Sequence, residues 1–418
     1  MLNERNGERI SCTYDNYFSN HLIKIYNLID QIFIFDNPIN TINNVKSQQS
    51  LPKINQFHII YQSNFQSIIL SELTPLISSK ISSKLQLKQD QNIHSQSYNQ
   101  KTFNYQIIEN NSIKQEKYCF SFAFNKNCST VAVGCINQII IYEFKYDMFK
   151  QIQVLDLLPG CVNTLNFMKN SDQFISGDDN GNISIWSINN NNSWVCSQTI
   201  KGHNYSITCL IVNKIEDLII SGSYDRTIQF RVKQNEWICS QTITEHQNFV
   251  YSLSLNDQQN QVISCGRDKL ILLIEYSEQN KNWIVVQKIY VDCYGHRLGF
   301  INNNIFSFKP KESNSMHVYE KNSVNKQFIK TKEVIPNQGN DGRNLFPQQY
   351  IKLKQLLLNR HNKYINCIRI IQNGEFKLEQ IIQFGTNSIF GSLSDDGNSL
   401  VTWDDLSKEI QIRKYTEQ

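Results

Sequence analysis

One stretch of this sequence occurs twice in close succession. Trp194 to Ile200 reads WVCSQTI, and Trp237 to Ile243 reads WICSQTI, 43 residues further along the chain. Self-similarity with a period of about 40 to 45 residues indicates an array of similar structural units rather than one irregular domain. Such units cannot bury their apolar faces alone, so each unit must pack against its neighbours.

Short alternating segments recur at nearly the same interval after residue 103. Each one alternates apolar with polar residues, as in Ile183-Ser184-Ile185-Trp186, and turn residues such as Asp179-Asn180-Gly181 flank it. This pattern predicts strands joined by tight turns. The third strand of each unit is expected at Tyr142, Trp186, Arg231, Ile274, Tyr319, Ile370 and Arg413. Their gaps of 44, 45, 43, 45, 51 and 43 residues predict seven four-stranded blades.

The last of these units is one strand short. Its three inner strands fall within residues 389–413, and only residues 414–418 follow. The run FNYQII at residues 103–108 has the alternation and the position to supply the missing outer strand, which would remove an open sheet edge. The predicted fold is therefore all-β, a seven-bladed β-propeller over residues 103–418 that is closed by a strand from residues 103–108.

Residues 1–102 lack this pattern and are predicted to form a small helical and linker region. Phe18, Leu22, Ile25 and Ile29 recur at steps of three and four, which is typical of one face of a helix. A second such series runs through residues 65–85, where Pro75 is expected to kink or split the helix. This extension either packs on other parts of the protein or serves as a coiled-coil or docking element.

The repeats resemble those of the WD40 family, whose blades often carry a hydrogen-bonded chain of four side chains. The chain joins a His ahead of the first strand, a Ser or Thr on the second strand, an Asp in the next turn and a Trp on the third strand. The resemblance implies this structural role for His203, Ser221, Asp225, His246, Ser264, Asp268, Ser176 and Trp186. Arg231 and Ile274 stand where two of the tryptophans are expected, so no blade has the full set. Because the pattern repeats from blade to blade, a structural role is favoured over a catalytic one.

Motifs that would indicate catalysis or ligand binding are missing from the sequence. It contains no GxxxxGK[ST] loop, no GxSxG elbow, no HExxH pair and no EF-hand loop. Its 11 cysteines form no CxxC pair, which favours buried reduced thiols over a metal site. We therefore expect no catalytic residue, no cofactor, no metal and no small-molecule substrate.

Charge and hydropathy exclude two further classes of partner. The formal charge is only +4 and the lysines are dispersed, which argues against nucleic acid. The sequence has no apolar run of 18 residues and no secretory pattern at its start, which predicts a cytoplasmic protein with no membrane partner. Other proteins are the expected partners. Loops on one face of the propeller present the candidate partner-binding residues Asn204, Tyr205, Tyr224, Arg226, Phe249, Arg267 and Lys269.

The amino-acid sequences in and after the outer strands suggest a more specific function. The sequence WxCSQTI followed by Gly-His or Glu-His, and then SGSYDRTI, is similar to the WD40 subunit of the cytosolic iron-sulfur protein assembly targeting complex. This resemblance covers chiefly residues 160–290. It implies a scaffold that docks recipient proteins without holding the cluster itself. The alternatives are a general adaptor of a ciliary, trafficking or ubiquitin-ligase complex and, more remotely, a hydrolase with its site in the central channel of the propeller.

Overall fold

The computed structural model describes residues 102–109, 111–156, 160–334, 346–371 and 374–417. The regular secondary structure of these residues is almost entirely β-strand, with one 3-10 turn at Lys352–Lys354 and no α-helix among them. The helices predicted for the N-terminal region lie outside the described residues.

The described strands form seven antiparallel sheets, six of them continuous in sequence order, and they confirm the predicted seven-bladed β-propeller. Two strands precede the first complete sheet: β1 (Phe103–Ile107) and β2 (Ile113–Lys114). Blades 1 and 2 consist of β3 (Cys119–Phe124), β4 (Thr130–Cys135), β5 (Gln138–Lys145), β6 (Met148–Leu155), β7 (Val162–Phe167), β8 (Gln173–Asp178), β9 (Asn182–Ile188) and β10 (Trp194–Lys201). Blades 3 and 4 consist of β11 (Ile207–Val212), β12 (Leu218–Ser223), β13 (Ile228–Lys233), β14 (Trp237–Ile243), β15 (Val250–Leu255), β16 (Gln261–Gly266), β17 (Leu270–Ser277) and β18 (Asn282–Tyr290).

The remaining blades follow the same plan. Blade 5 consists of β19 (Gly295–Asn302), β20 (Ile305–Pro310), β21 (Met316–Lys321) and β22 (Phe328–Val334). Blade 6 consists of β23 (Gln349–Ile351), β24 (Leu356–His361), β25 (Tyr364–Ile370) and β26 (Phe376–Gln383). Blade 7 consists of β27 (Ile389–Leu393), β28 (Ser399–Asp404), β29 (Glu409–Glu417) and the two leading strands β1 and β2.

Burial along each blade follows from its position between two neighbours. The second strands β12 (LIISGS) and β16 (QVISCG) are buried at every residue, because both of their faces meet another blade. The outer strand β14 (WICSQTI) is buried only at Trp237 and Ile243, because its middle lies at the rim of the ring. Continuous apolar runs therefore mark the inner strands, and interrupted patterns mark the outer ones.

The buried apolar side chains of the described residues form seven clusters, one at each interface between adjacent blades. Six clusters contain between nine and thirteen buried residues. The cluster between blades 5 and 6 contains only four: Met316, Val318, Leu357 and Ile368. Six partly buried apolar side chains pack against these four: Ile305, Val334, Tyr350, Ile370, Phe376 and Leu378.

The ring closes where β1 pairs with β29. Their antiparallel register runs from Phe103 opposite Glu417 to Ile107 opposite Arg413, and β2 continues the pairing at Ile113 opposite Ile410. Tyr105 is 3 % exposed, and its hydroxyl donates to the carbonyl oxygen of Gly397 at 2.7 Å. The outer strand of blade 7 therefore comes from a segment about 300 residues earlier in the sequence.

One of the seven predicted third-strand positions is wrong by two residues. In blade 2, Trp186 pairs with Phe174, the second residue of its neighbouring strand, immediately beside a β-bulge. The equivalent residue of blade 6 is Ile368, which pairs with Leu357 beside a bulge, and not Ile370. The alternation Ile365, Cys367, Arg369 that surrounds it offers no Trp-like marker, so spacing alone placed the position too late.

A glutamine clamp that the sequence analysis missed joins the outer strands of several neighbouring blades. Gln241 of blade 3 donates through Nε2 to the carbonyl oxygen of Trp283 at 2.5 Å, and the Trp283 N–H donates to Gln241 Oε1 at 2.7 Å. The same reciprocal pair recurs between Gln153 and Trp194, Gln287 and Phe328, and Gln380 and Tyr105. The last of these attaches β1 to blade 6, so the closing strand is bonded to both of its neighbours.

We expect a variant that lacks residues 1–110 to lose its cooperative unfolding transition, and a variant that lacks residues 1–95 to keep it. The first deletion removes β1 and exposes the edge of β29 from Arg413 to Glu417, whereas the second leaves β1 in place. Thermal melts followed by circular dichroism would check this. Equal stability of the two variants would contradict the closure argument.

We expect Gln241→Ala to lower the free energy of unfolding by about 1 to 3 kcal/mol, because it leaves the N–H and C=O groups of Trp283 without their clamp. Gln198 occupies the matching position on β10, but within the described residues its side-chain amide makes no such contact. Gln198→Ala is thus the matched control, with an expected change of no more than about 0.5 kcal/mol. Urea denaturation measures both, and equal losses would show that the clamp adds nothing.

Candidate functional site

Blade 3 holds a buried His–Ser–Asp cluster at the end of the blade where the chain enters from blade 2. His203 Nδ1 lies 2.8 Å from Asp225 Oδ2, and His203 Nε2 lies 2.8 Å from Ser221 Oγ. The hydroxyl of Thr227 donates to Asp225 Oδ1 at 2.6 Å. In the tautomer in which Nδ1 donates to the carboxylate, Nε2 accepts the hydrogen of the serine hydroxyl. The cluster ties the loop before β11 to the turn between β12 and β13.

Blade 4 repeats the cluster at matching distances. His246 Nδ1 lies 2.9 Å from Asp268 Oδ2, and His246 Nε2 lies 2.9 Å from Ser264 Oγ. Ile274 takes the third-strand position and provides no donor. Both aspartate side chains are less than 10 % exposed, so each carboxylate is directed into its blade and away from solvent.

The third-strand position shows how arginine replaces tryptophan. In blade 2, Trp186 Nε1 donates to Ser176 Oγ at 2.9 Å. In blade 7, Arg413 Nη1 donates to the matching hydroxyl of Thr402 at 2.7 Å. Arg231 of blade 3 instead reaches the carbonyl oxygen of Gly202 at 3.1 Å, because His203 already bonds the serine there. The predicted substitution at Arg231 therefore keeps a donor in this position but changes its acceptor.

The electrostatics of the two aspartates follow from these contacts. Burial alone would raise the pKa of Asp225, but the hydrogen bonds with His203 and Thr227 outweigh it and hold the pKa below its usual range. Burial and the bond with His246 oppose each other in the same way at Asp268, and its pKa is also lowered. Both carboxyls are therefore charged at neutral pH, and their charge is satisfied inside the protein.

The seven candidate partner-binding residues lie in loops on one face of the ring, which we call the upper face. It carries the connections between blades and those between second and third strands. The structure brings Tyr224 and Phe249 into stacking contact, with ring centroids 4.4 Å apart, and Arg267 lies 5.7 Å from the Phe249 ring. We call the set the blade 3–4 patch: Asn204, Tyr205, Tyr224, Arg226, Phe249, Arg267 and Lys269. Five members are exposed, and Tyr224 and Phe249 are half-buried.

Further aromatic side chains pack against this patch, and they were not predicted from the sequence. Tyr251 lies 6.1 Å from Tyr224 and 5.9 Å from Tyr294 between ring centroids, and Lys311 lies 5.3 Å from the Tyr294 ring. The contacts extend from blade 3 to blade 5. No motif marks them, because Tyr251 belongs to a first strand and Tyr294 to a connecting loop; only the alignment of successive blades brings them together.

The side chains that line the central channel are mostly neutral. A cavity of about 270 Å³ along it is lined by residues of all seven blades, among them Ser121, Asn163 and Thr208. Its lining carboxylate, Asp395, forms an ion pair with Lys169. In the described ranges, no three His, Cys, Asp or Glu side chains lie close enough together to hold a metal ion. A search of the same residues finds no helix of the length and hydropathy that a membrane span requires.

We expect Asp225→Ala to lower the free energy of unfolding by about 1 to 3 kcal/mol at pH 7, because it leaves His203 and Thr227 without their buried acceptor. A carboxyl with a lowered folded-state pKa stabilises the fold above its unfolded pKa of about 3.9, and this contribution is lost as the pH falls. The difference between wild type and variant should therefore be full above about pH 4 and shrink below it.

Urea denaturation at several pH values measures this difference. Asp172→Ala changes an exposed aspartate in the loop between β7 and β8 and is the matched control, with an expected effect within about 0.5 kcal/mol. A loss at Asp225 no larger than that at Asp172 would show that Asp225 is an ordinary loop residue.

Comparison with known protein families finds a match for part of the propeller. Three segments, residues 150–187, 194–230 and 237–275, match the family model WD40 (WD domain, G-beta repeat). Each begins on the outer strand of one blade and ends on the third strand of the next, so the sequence repeat is offset by one strand from the blade. A segment of 90 residues is 28 % identical to the Retinoblastoma-binding-like protein E of Dictyostelium discoideum, covering 21 % of this chain and 16 % of that protein. These three segments, which run from the outer strand of blade 1 to the third strand of blade 4, are thus similar to WD40 repeats, and WD40 propellers are typically scaffolds for protein–protein interaction.

Proposed function

We propose that this protein is a non-catalytic, cytoplasmic scaffold that binds other proteins through the blade 3–4 patch. Nucleic acid, membranes and small-molecule substrates are not its partners in this proposal. The N-terminal residues 1–102 form a separate region, and residues 103–418 form the binding platform.

The observation that carries the proposal is the composition of the upper face at blades 3 and 4. Tyr205 is 65 % exposed, and it lies in the loop whose first residues bond the buried Asp225. Beside it, the stacked rings of Tyr224 and Phe249 carry Arg267. Exposed Tyr and Arg, with Phe held in a fixed stack, are side chains that contribute most to protein interfaces, because they bring large contact areas at low cost in side-chain entropy.

The second argument for this surface is that hydrogen bonds hold its loops rigidly. The His203–Asp225 and His246–Asp268 clusters fix the loops from which the patch projects. The backbone N–H groups of Asn204 and Gln247 also donate to these aspartates, at 3.1 and 2.7 Å. A surface that is already ordered binds without a large loss of conformational entropy.

The patch is best tested by affinity purification of the full chain from its own cells. We expect the double variant Tyr224→Ala and Arg267→Glu to lose partner proteins that wild type retains, because it breaks the stacked cluster and reverses one charge. Mass spectrometry identifies the proteins lost. A double variant on the opposite face, Lys126→Glu and Lys326→Glu, is the control for a general change in charge. An identical set of partners for all three proteins would remove the assignment of the patch.

Within this class we propose cytosolic iron-sulfur protein assembly as the pathway, which rests on the resemblance of WxCSQTI and SGSYDRTI in blades 2 to 4. A general adaptor of a ciliary, trafficking or ubiquitin-ligase complex is the competing role. Loss of iron incorporation into cytosolic iron-sulfur proteins after depletion would favour the first role. Self-association of an isolated fragment of residues 1–100, measured by light scattering, would favour the second.

A further inference from the structure

We propose that the partner segment bound at the blade 3–4 patch is acidic, an extended stretch rich in Asp and Glu with an aromatic or apolar side chain among them. This inference rests on the proposed function and specifies the chemistry of the partner. The supporting observation is that acidic side chains in the loops of blades 3 and 4 are buried or paired, whereas basic side chains in the same loops are exposed.

The acidic side chains of these loops are directed inward or are already neutralised. Asp225 and Asp268 are 7 % and 8 % exposed and bond His203 and His246. Glu245 is more exposed, but its carboxylate lies 2.6 Å from Lys288 Nζ. The negative charge of Asp225, Asp268 and Glu245 in these upper-face loops is therefore satisfied within the protein and is not presented to a partner.

The basic side chains of the same loops point the other way. Arg226, Arg267 and Lys269 are exposed, and none of them pairs with a carboxylate from the described part of the chain. The turns hold them in place: Arg226 and Lys269 take the left-handed position, with φ of 73° and 61°, immediately after the buried Asp225 and Asp268. The residue pairs Asp-Arg and Asp-Lys thus place an inward anion next to an outward cation in both blades.

The aromatic side chains lie between these cations. Phe249 stacks on Tyr224 at 4.4 Å and carries Arg267 at 5.7 Å, and Tyr205 projects beside them. A partner whose carboxylates meet the cations therefore brings its own neighbouring side chain against an apolar surface. Opposite charge speeds the encounter and selects the partner, whereas burial of the aromatic surface provides affinity.

The cationic surface has a boundary toward blade 5. At blade 5, the exposed residues Asp292 and Glu312 accompany Lys311, so the excess positive charge ends there. An extended peptide of about 12 residues spans roughly 40 Å, which is sufficient to cross two blades of the ring. The footprint is thus the length of a short linear segment and not of a whole acidic domain.

The experiment measures binding of three fluorescent peptides of equal length to the full chain by fluorescence anisotropy. The first contains Asp and Glu around one Phe, the second replaces every carboxylate by its amide, and the third replaces the Phe by Ala. We expect the acidic peptide to bind about tenfold more tightly than the amide peptide and to weaken as salt rises from about 50 to about 300 mM. The Ala peptide should also bind more weakly than the acidic Phe peptide.

Protein variants locate the site. Arg267→Glu with Lys269→Glu should weaken binding of the acidic peptide by about tenfold or more, because both positions are exposed and the charge change is local. Lys126→Glu with Lys326→Glu makes the same change in net charge on the opposite face and should leave binding within about twofold. Circular dichroism melts of both variants check that the propeller remains folded.

Equal binding of the acidic and amide peptides would overturn the inference, and so would tighter binding of a single-stranded oligothymidylate than of the acidic peptide. Equal weakening by both double variants would also overturn it, because the effect would then reflect overall charge. None of these outcomes tests the proposed function. That function fails only if substitutions in the patch leave the set of purified partner proteins unchanged. Loss of partners at the patch with no preference for acidic peptides would leave a scaffold that recognises neutral segments.

Discussion

Every blade of this propeller depends on burial between neighbouring sheets. A four-stranded sheet with two apolar faces is not stable alone in water, and here each face is covered by the next blade in a closed ring. The buried apolar residues accordingly lie in clusters between blades. Hydrogen bonds then fix the spacing: the glutamine clamp joins outer strands at the rim, and the Thr208 hydroxyl joins first strands near the axis by donating to the Val250 carbonyl oxygen at 2.7 Å. The pairing of β1 with β29 extends the same burial to the last blade.

The periodicity of the sequence was sufficient to predict the number of blades, because each blade must repeat one geometry and the repeat WVCSQTI is preserved at 43 residues. The third-strand position of blade 6 could not be predicted as accurately. Its marker is an isoleucine among other isoleucines, and the register is fixed by a β-bulge that leaves no signal in composition. The glutamine clamp was visible in principle, since Gln153, Gln198, Gln241 and Gln287 recur at similar intervals. Only the structure shows that a recurring polar residue bonds the backbone of the next blade.

Some features of the candidate site could likewise be predicted from the sequence, and others could not. The pairing of His203 with Ser221 and Asp225 follows from the family pattern, and the distances of 2.8 Å place these groups together. The stack of Tyr224 on Phe249 joins loops of different blades and depends on how far each loop projects, which no local sequence rule provides. Arg413 illustrates a third case: its donor role in blade 7 requires knowing that Thr402 lies opposite, a fact of strand register.

Among the described residues, the clusters between adjacent blades differ in their number of fully buried apolar side chains, and the cluster between blades 5 and 6 has four. Six partly buried apolar side chains, among them Ile305 and Tyr350, complete that interface. Blades 3 and 4 are bounded on both sides by joints with at least nine buried residues. The arc that carries the stacked rings is therefore supported on each side by an extensively buried interface, so a bound segment meets a surface of fixed shape.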